Sequence, residues 1–398
     1  MILQKIAFVI IAKLIIAQGR ISDGEGDHKD KNLEFKPEMT SKELLDFCHS
    51  HSTYVRDTCS QRIRRKSTLD LNWTNHRANS ENGLRVRVLQ WNILSDVLGL
   101  YKDNFSRCPT EALEWVYRRC LILDEMFAYE PDVMCLQEVD HFDFFNRALA
   151  TQSYSGVFVP KKRTPCIGIK GNNGPDGLAI FYNNNKYELL EKHKWNFYHL
   201  ARGSRQVALL VILRDKSSGV KFCVATTHLK SQKGIRESAL RNKQGEDLLK
   251  FVSKHAKRCP TIITGDFNAE PIEPVYKTMC SNPKFRLDSA YNLHGKESEY
   301  TTWKIRAEEG EVKETLDYIF YTPKYLAVST IITMPEEKSV DENRFPSFAY
   351  PSDHLSLIAD FTFNKIHITT DLIDQILSYI EDLQSLFTTI IKKLYTKK

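Results

Sequence analysis

With 398 residues, 42% hydrophobic and 27% charged, the chain is long enough for one large domain or two ordinary ones, and its composition excludes a disordered or fibrous protein. The net charge of +6 suits an anionic substrate without requiring one. Nine cysteines with no Cys-x-x-Cys spacing exclude a zinc ribbon and a paired redox motif; Cys135 and Cys223, inside apolar runs, read as small apolar side chains of a reducing compartment.

Residues 1–20 are read as a targeting segment outside the fold. Met1 to Ala17 is apolar, but it is shorter than the ~20 residues a bilayer span needs and is interrupted by Lys13, so no integral membrane span is expected. Ala17-Gln18-Gly19 offers a signal-peptidase site. Lys5, Lys13 and Arg20, with no acid before Asp23, equally resemble a mitochondrial presequence. A mitochondrial, cytoplasmic or secretory destination all stay open. Residues 21–83 read as a linker with a short helical region: Ser22 to Lys36 is polar and charge-mixed, Ser41 to Cys48 has helical spacing, and Arg62 to Lys66 is a basic cluster better read as a solvated loop than as a nucleic-acid site.

Regular structure sets in at Leu84. L-R-V-R-V-L-Q-W alternates as a strand and breaks at Asn92, and Glu111 to Tyr129 carries helical spacing up to Pro131. Further strands are predicted at 133–137, 178–182, 207–214, 222–227, 261–264, 316–321 and 355–361, with a helix at Ser238–His255. Strands interleaved with a few helices over 84–363 predict one large α/β domain whose sheets pack on each other. Residues 366–398 follow as an amphipathic helix, with Asp371 and Asp374 early and Lys392 and Lys393 late, matching the helix dipole. It is expected to dock on its own domain rather than on a membrane surface or a second copy, and a monomer is expected.

The strands end on polar residues. In I-I-T-G-D-F-N-A-E-P (262–271), a period of two puts Thr264, Asp266 and Asn268 on one face; an Asx-turn closing the strand is the alternative. Q-W-N presents Asn92, C-L-Q-E-V-D presents Glu138, T-T-H-L-K presents His228 beside Thr226, T-L-D-Y holds Asp317, and P-S-D-H offers Asp353 and His354. Any one of these alone is a cap or loop residue. Two His, four carboxylates and two Asn at the edges of apolar strands are another matter, because burying that many carboxylates together costs several kcal/mol unless a cation or proton relieves it. A hard, oxygen-binding ion such as Mg²⁺, with Mn²⁺ as a substitute, is the natural occupant.

This set, in this order between Leu84 and Phe363, resembles the endonuclease/exonuclease/phosphatase superfamily, in which W-N, Q-E, T-H, G-D-F-N, D-Y and S-D-H motifs converge on one phosphoryl-transfer site. The resemblance implies a four-layer α/β sandwich, two packed mixed sheets flanked by helices. The stretches V-L-Q-W-N-I-L, C-L-Q-E-V-D-H, N-N-G-P-D-G, Y-T-T-W-K-I-R and P-S-F-A-Y-P-S-D-H-L-S are similar to a branch related to the carbon-catabolite-repression deadenylases. Chemistry and resemblance together assign roles. Glu138 holds Mg²⁺, oriented by Asn92 and helped by Asp353. Asp266 takes the proton of the attacking water and Asn268 fixes that water or the phosphate. His228 and His354 donate to phosphoryl oxygens, with Asp317 orienting one imidazole.

Two reactions are associated with that branch: removal of the 2′-phosphate of NADP⁺ and NADPH, and 3′-exonucleolytic removal of poly(A) from RNA. The resemblance places Lys161, Lys230 and Arg306 around the substrate, and Asn173 in the N-N-G-P-D-G loop against ribose or base, where a plain turn is the other reading. Compact clustered cations favour NADP(H) over an RNA groove, which adds exposed stacking aromatics. DNA is not an expected partner. There are two departures. Gln232, followed by Lys233, stands where the branch usually has arginine, and Arg205-Gln206-Val207-Ala208 stands where it tends to have Asn-Gln-Val-Ala. Lys233 cannot copy a bidentate arginine, whereas Arg205 restores a charge from the other side.

Overall fold

Alternating apolar residues become strands here because two sheets press face to face, and each apolar row is half of the layer between them. The computed structural model describes residues 33–51, 84–100, 105–168, 172–197, 205–283 and 285–364. The targeting segment, the basic cluster at 62–66 and the C-terminal helix predicted at 366–398 lie outside the described residues.

One sheet runs in the order β13 (Leu326–Ile331), β14 (Leu357–Phe363), β1 (Arg85–Asn92), β2 (Val133–Val139), β4 (Gly177–Asn183), β3 (Tyr154–Pro160). The other runs β5 (Tyr187–Asn196), β6 (Val207–Asp215), β7 (Lys221–His228), β8 (Thr261–Asp266), β12 (Asp317–Tyr321), β9 (Asp288–Ser289). β10 (Thr302–Arg306) and β11 (Gly310–Glu314) form a separate hairpin. The β1–β2 and β7–β8 pairs are parallel and the remaining pairs antiparallel, so both sheets are mixed. Helices Ser41–Ser50, Trp115–Tyr129 and Phe142–Ala150 cover the outer face of the first sheet, and Ile235–Ala256 and Pro274–Cys280 cover that of the second. This is the expected four-layer sandwich. Among the described residues, no helix is long and apolar enough to cross a membrane.

The inner faces position the site. Val86 and Val88 of β1, Val133 and Cys135 of β2, Phe222 and Val224 of β7, Ile262 of β8 and Ile319 of β12 share one buried cluster between the sheets. Two residues further along, at one common end, the same faces turn polar. β1 continues with Gln90 and Asn92, β2 with Gln137, β7 with Thr226 and His228, and β8 with Thr264 and Asp266, while antiparallel β12 begins with Asp317. Period two therefore delivers polar side chains from five strands into the same space.

The helix predicted over 111–129 is two helices, Thr110–Leu113 and Trp115–Tyr129, because Glu114 between them is extended (φ −64°, ψ 135°). The helix at Ser41–Ser50 starts in a capping box of Thr40 and Glu43 and buries Leu44 and Cys48 on the domain. Ser41 Oγ donates to Gln152 Oε1 at 2.9 Å, and Arg147 Nη1 donates to the Leu33 carbonyl at 2.7 Å, which fastens this stretch to the sandwich.

Candidate active site

Strand alternation alone would turn Glu138 away from Gln137, toward the outer helices. A register shift between Leu136 and Val139, with Glu138 at φ 58°, re-aims it. Bulges and left-handed non-glycine residues of this kind recur at functional sites, where surrounding contacts hold the strain. The holding contacts are the Ser95 amide, which donates to Glu138 Oε2 at 3.1 Å, and Asn92 Nδ2, which donates to Oε1 at 3.1 Å. The same Asn92 amide donates to Asp266 Oδ2 at 3.0 Å, and Asn92 Oδ1 accepts from the Leu94 N–H at 3.1 Å. One side-chain amide thus spans the two carboxylates, close enough for both to face one ion and its waters.

β8 ends at Asp266, so Asn268 does not reach the site by strand alternation as expected. The chain turns at Asn268 (φ 49°), whose N–H donates to Asp266 Oδ1 at 2.8 Å. The Asx-turn and the site are one structure: the turn fixes the Asp266 carboxylate and swings Asn268 Nδ2 onto the Leu229 carbonyl at 3.2 Å. Gly265 precedes it at φ 154°, and a Cβ there would stand 2.3 Å from the Thr227 carbonyl oxygen of the paired strand. Gly265→Ala is expected to destabilise the protein by about 3 kcal/mol, read as a lower midpoint of urea unfolding, because backbone rather than a flexible side chain blocks it.

Both histidines face Asp266 Oδ2, His228 Nε2 at 3.5 Å and His354 Nε2 at 3.8 Å. They carry different charge. Burial, then Lys161 and His354, hold His228 well below the ordinary histidine pKa. Lys161 Nζ lies 3.5 Å from His228 Nδ1; an ammonium only donates, so Nδ1 accepts and the ring proton sits on Nε2, facing the site. Burial works against a charged His354, yet Asp317, Asp353 and Asp266 together lift its pKa to about 9. Its Nδ1 is 2.8 Å from Asp317 Oδ2, and Thr301 Oγ1 and Gln90 Nε2 donate to Asp317 at 2.7 and 3.0 Å. Asp266 is pushed up to about 7, by burial first and by Asp317, against the pull of His354. If ionised Asp266 and protonated His354 are the working forms, activity rises with pH through about 7 and falls through about 9. A bound cation moves the acid limb lower. A pH–rate profile checks this, and His354→Asn should remove the alkaline limb.

The polar ring around the site is only partly the expected one. Lys161 is half-buried, its ammonium 2.6 Å from Asp176 Oδ2 while Thr164 Oγ1 donates to the other Asp176 oxygen, so an ion pair within the chain already holds it beside His228. Asp353 has its Oδ2 2.5 Å from Lys304 Nζ, both buried, and is held well below the usual carboxylate range: burial opposes this, and Lys304 and His354 overcome it. Lys230 is half-buried, and burial followed by Arg205 and Arg241 lowers its pKa, with Glu237 opposing. Arg205 is exposed and its N–H donates to Gln206 Oε1 at 3.2 Å. Lys233 is 2.5 Å from Glu314, so Arg205 rather than Lys233 adds charge beside Lys230. Arg306 closes β10 half-buried and helps keep Asp353 ionised. Asn173 Nδ2 is 2.8 Å from His141 Nε2, and the Gly174 N–H donates to Asn172 Oδ1 at 2.9 Å, closing the loop as an Asx-turn.

Asp176, Lys304, Gln90, Gln137 and Thr301 were not anticipated. Gln90 and Gln137 exchange side-chain hydrogen bonds at 2.7 and 2.8 Å between neighbouring strands. Their signal was present in the inner-face periodicity that singled out Asn92. The donor set fits a divalent cation. Glu138, Asp266 and Asp317 are all buried, and Glu138 Oε1 and Asp266 Oδ2 both accept from the Asn92 amide, at 3.1 and 3.0 Å; His354, cationic and bonded to Asp317, stands beside these carboxylates but is not a ligand. Burial is the first cause of the raised Asp266 pKa, and a cation beside the carboxylate would favour its ionised form.

Residues 89–354 match the Endonuclease/Exonuclease/phosphatase family. The chain is similar to Nocturnin of Drosophila melanogaster, 47% identical over 299 residues covering 69% of this chain and 46% of that protein, so it spans less than half the length of that relative. With Nocturnin of Mus musculus it is 42% identical over 355 residues, covering 86% of this chain and 80% of the mouse protein. The solved structure of the human Nocturnin catalytic domain with bound sulfate anion matches with a TM-score of 0.61 at 39% identity, over 77% of this chain and 100% of that one.

Proposed function

Because this chain belongs to the endonuclease/exonuclease/phosphatase family, and within it to the nocturnins, we propose that it is a Mg²⁺-dependent phosphatase that removes the 2′-phosphate of NADP⁺ and NADPH to give NAD⁺ and NADH. Glu138, with Asn92 orienting it, would hold the ion, and Mn²⁺ would substitute; when bound it supplies Lewis acidity and a template for the phosphate. Asp353 is left out of this ligand set because Lys304 already holds its Oδ2.

Asp266 accepts the proton of the attacking water, and the Asx-turn keeps its carboxylate from rotating away. Asn268 orients the water or a phosphate oxygen. His228, neutral with its proton on Nε2, and His354, cationic and braced by Asp317, donate to phosphoryl oxygens as charge develops on them. Lys161 sets the His228 tautomer and contributes positive charge beside it. Arg205, Gln206, Lys230, Arg306 and Asn173 take the rest of the dinucleotide.

What supports the choice of substrate is the ammonium of Lys161, 3.5 Å from His228 Nδ1 beside the hydrolytic groups, where a compact ligand with clustered phosphates brings complementary charge. The second reading is a poly(A)-specific 3′-exoribonuclease, supported by the branch's resemblance to deadenylases. Purified protein with Mg²⁺ is to be given NADPH or oligo(A), measuring free phosphate and chain shortening. Phosphate from NADPH is expected. Shortened oligo(A) with intact NADPH overturns the proposal, and no product from either means an idle partner-binding module.

A further inference from the structure

Lys304 is a buried lysine on the β10–β11 hairpin, which lies outside both sheets. Strand period two puts Thr302, Lys304 and Arg306 on one face of β10. Thr302 Oγ1 donates to the Asp353 carbonyl at 2.7 Å, and Thr302 bridges to His354, which locks this face against the S-D-H segment. Lys304 Nζ then meets Asp353 Oδ2 at 2.5 Å, with side-chain exposures of 6% and 5%. The same Asp353 oxygen lies 3.8 Å from His354 Nε2, which is itself 3.8 Å from Asp266 Oδ2. Four carboxylates, Glu138, Asp266, Asp317 and Asp353, therefore line one pocket, and four are enough for a pair of divalent ions clamping a phosphate.

We propose that Lys304 is a positioning residue that stands in for a second metal ion: its ammonium takes the Asp353 end of the pocket, so the chain binds a single divalent ion at Glu138. This inference rests on the metal-dependent reading given above. The physical ground is that an ammonium and a divalent ion cannot share one carboxylate oxygen at hydrogen-bond distance without strong repulsion. A buried lysine whose ammonium is bonded to this carboxylate does not swing aside at low cost.

Counting Mn²⁺ per chain, by calorimetric titration and by the EPR signal of free Mn²⁺, tests this. Wild-type protein and Lys304→Arg are expected to bind one ion. Lys304→Ala and Lys304→Ser, which remove the charge and leave room, are expected to bind a second ion more weakly, and the second ion should vanish in Lys304→Ala combined with Asp353→Asn. Both small-residue variants are made so that poor folding of one does not decide the matter. One ion in wild type and still one in both overturns the role of Lys304 and leaves the metal site standing. No ion in wild type overturns the metal-dependent reading itself.

Discussion

Replacing Asp266 by Asn lowers turnover by about three orders of magnitude while leaving the fold intact, within the range a positioned general base commonly supplies. Asn keeps the Oδ1 acceptor that the Asn268 N–H needs, so the Asx-turn survives, but it cannot accept a proton. Its new amide faces Asn92 Nδ2, which loses one acceptor, at about 1 kcal/mol. Removing a buried carboxylate already pushed up to about 7 offsets that cost, so the melting temperature of the metal-free protein should hardly change. Asp266→Ala loses the turn as well and should melt lower. Near-normal turnover in either variant rules out Asp266 as the base. Circular dichroism melts beside steady-state rates on the same preparations separate lost chemistry from lost structure.

Glu138→Gln is the second large effect, and it should move activity and stability in opposite directions. Loss of one anionic ligand should weaken Mn²⁺ or Mg²⁺ binding by more than about a hundredfold, since even partners one shell further out cost 10- to 100-fold. Turnover at a fixed, modest metal concentration should fall about as far and recover partly as metal is added. In chelator the order reverses. Glu138 is 8% exposed and Asp266 1% exposed, and both accept from the same Asn92 amide, so removing one charge should raise the melting temperature of the metal-free protein above that of wild type. Saturating metal should restore wild type to the lead, because binding to the native state alone stabilises it. A Glu138→Gln protein with unchanged metal affinity would place the ion elsewhere.

All eight interior strands were legible as apolar runs: β1, β2, β4, β6, β7, β8, β12 and β14. The four edge strands, β3, β5, β9 and β13, and the β10–β11 hairpin were not. An interior strand is covered on both sides by its sheet and on both faces by other layers, so burial is recorded in its own residues. An edge such as β5, exposed along much of Tyr187–Asn196, needs only to pair, and pairing is made by backbone groups every residue has. The polar ends of the inner faces are legible for the same reason as the strands, and they single out Asn92, His228, Asp266 and Asp317, whereas His354 lies in the S-D-H segment before β14.

How those groups are aimed and charged is settled by contacts made in the folded chain. Local patterning was enough for packed α/β sheets with a carboxylate- and histidine-rich end, because strand burial is a property of neighbouring residues. The bulge that turns Glu138 inward, the pairing of Lys304 with Asp353 and the different charge states of His228 and His354 depend on partners far along the chain. Coulomb interactions and hydrogen bonds act over a few ångströms in space, whatever the separation in sequence, so no local pattern announces them.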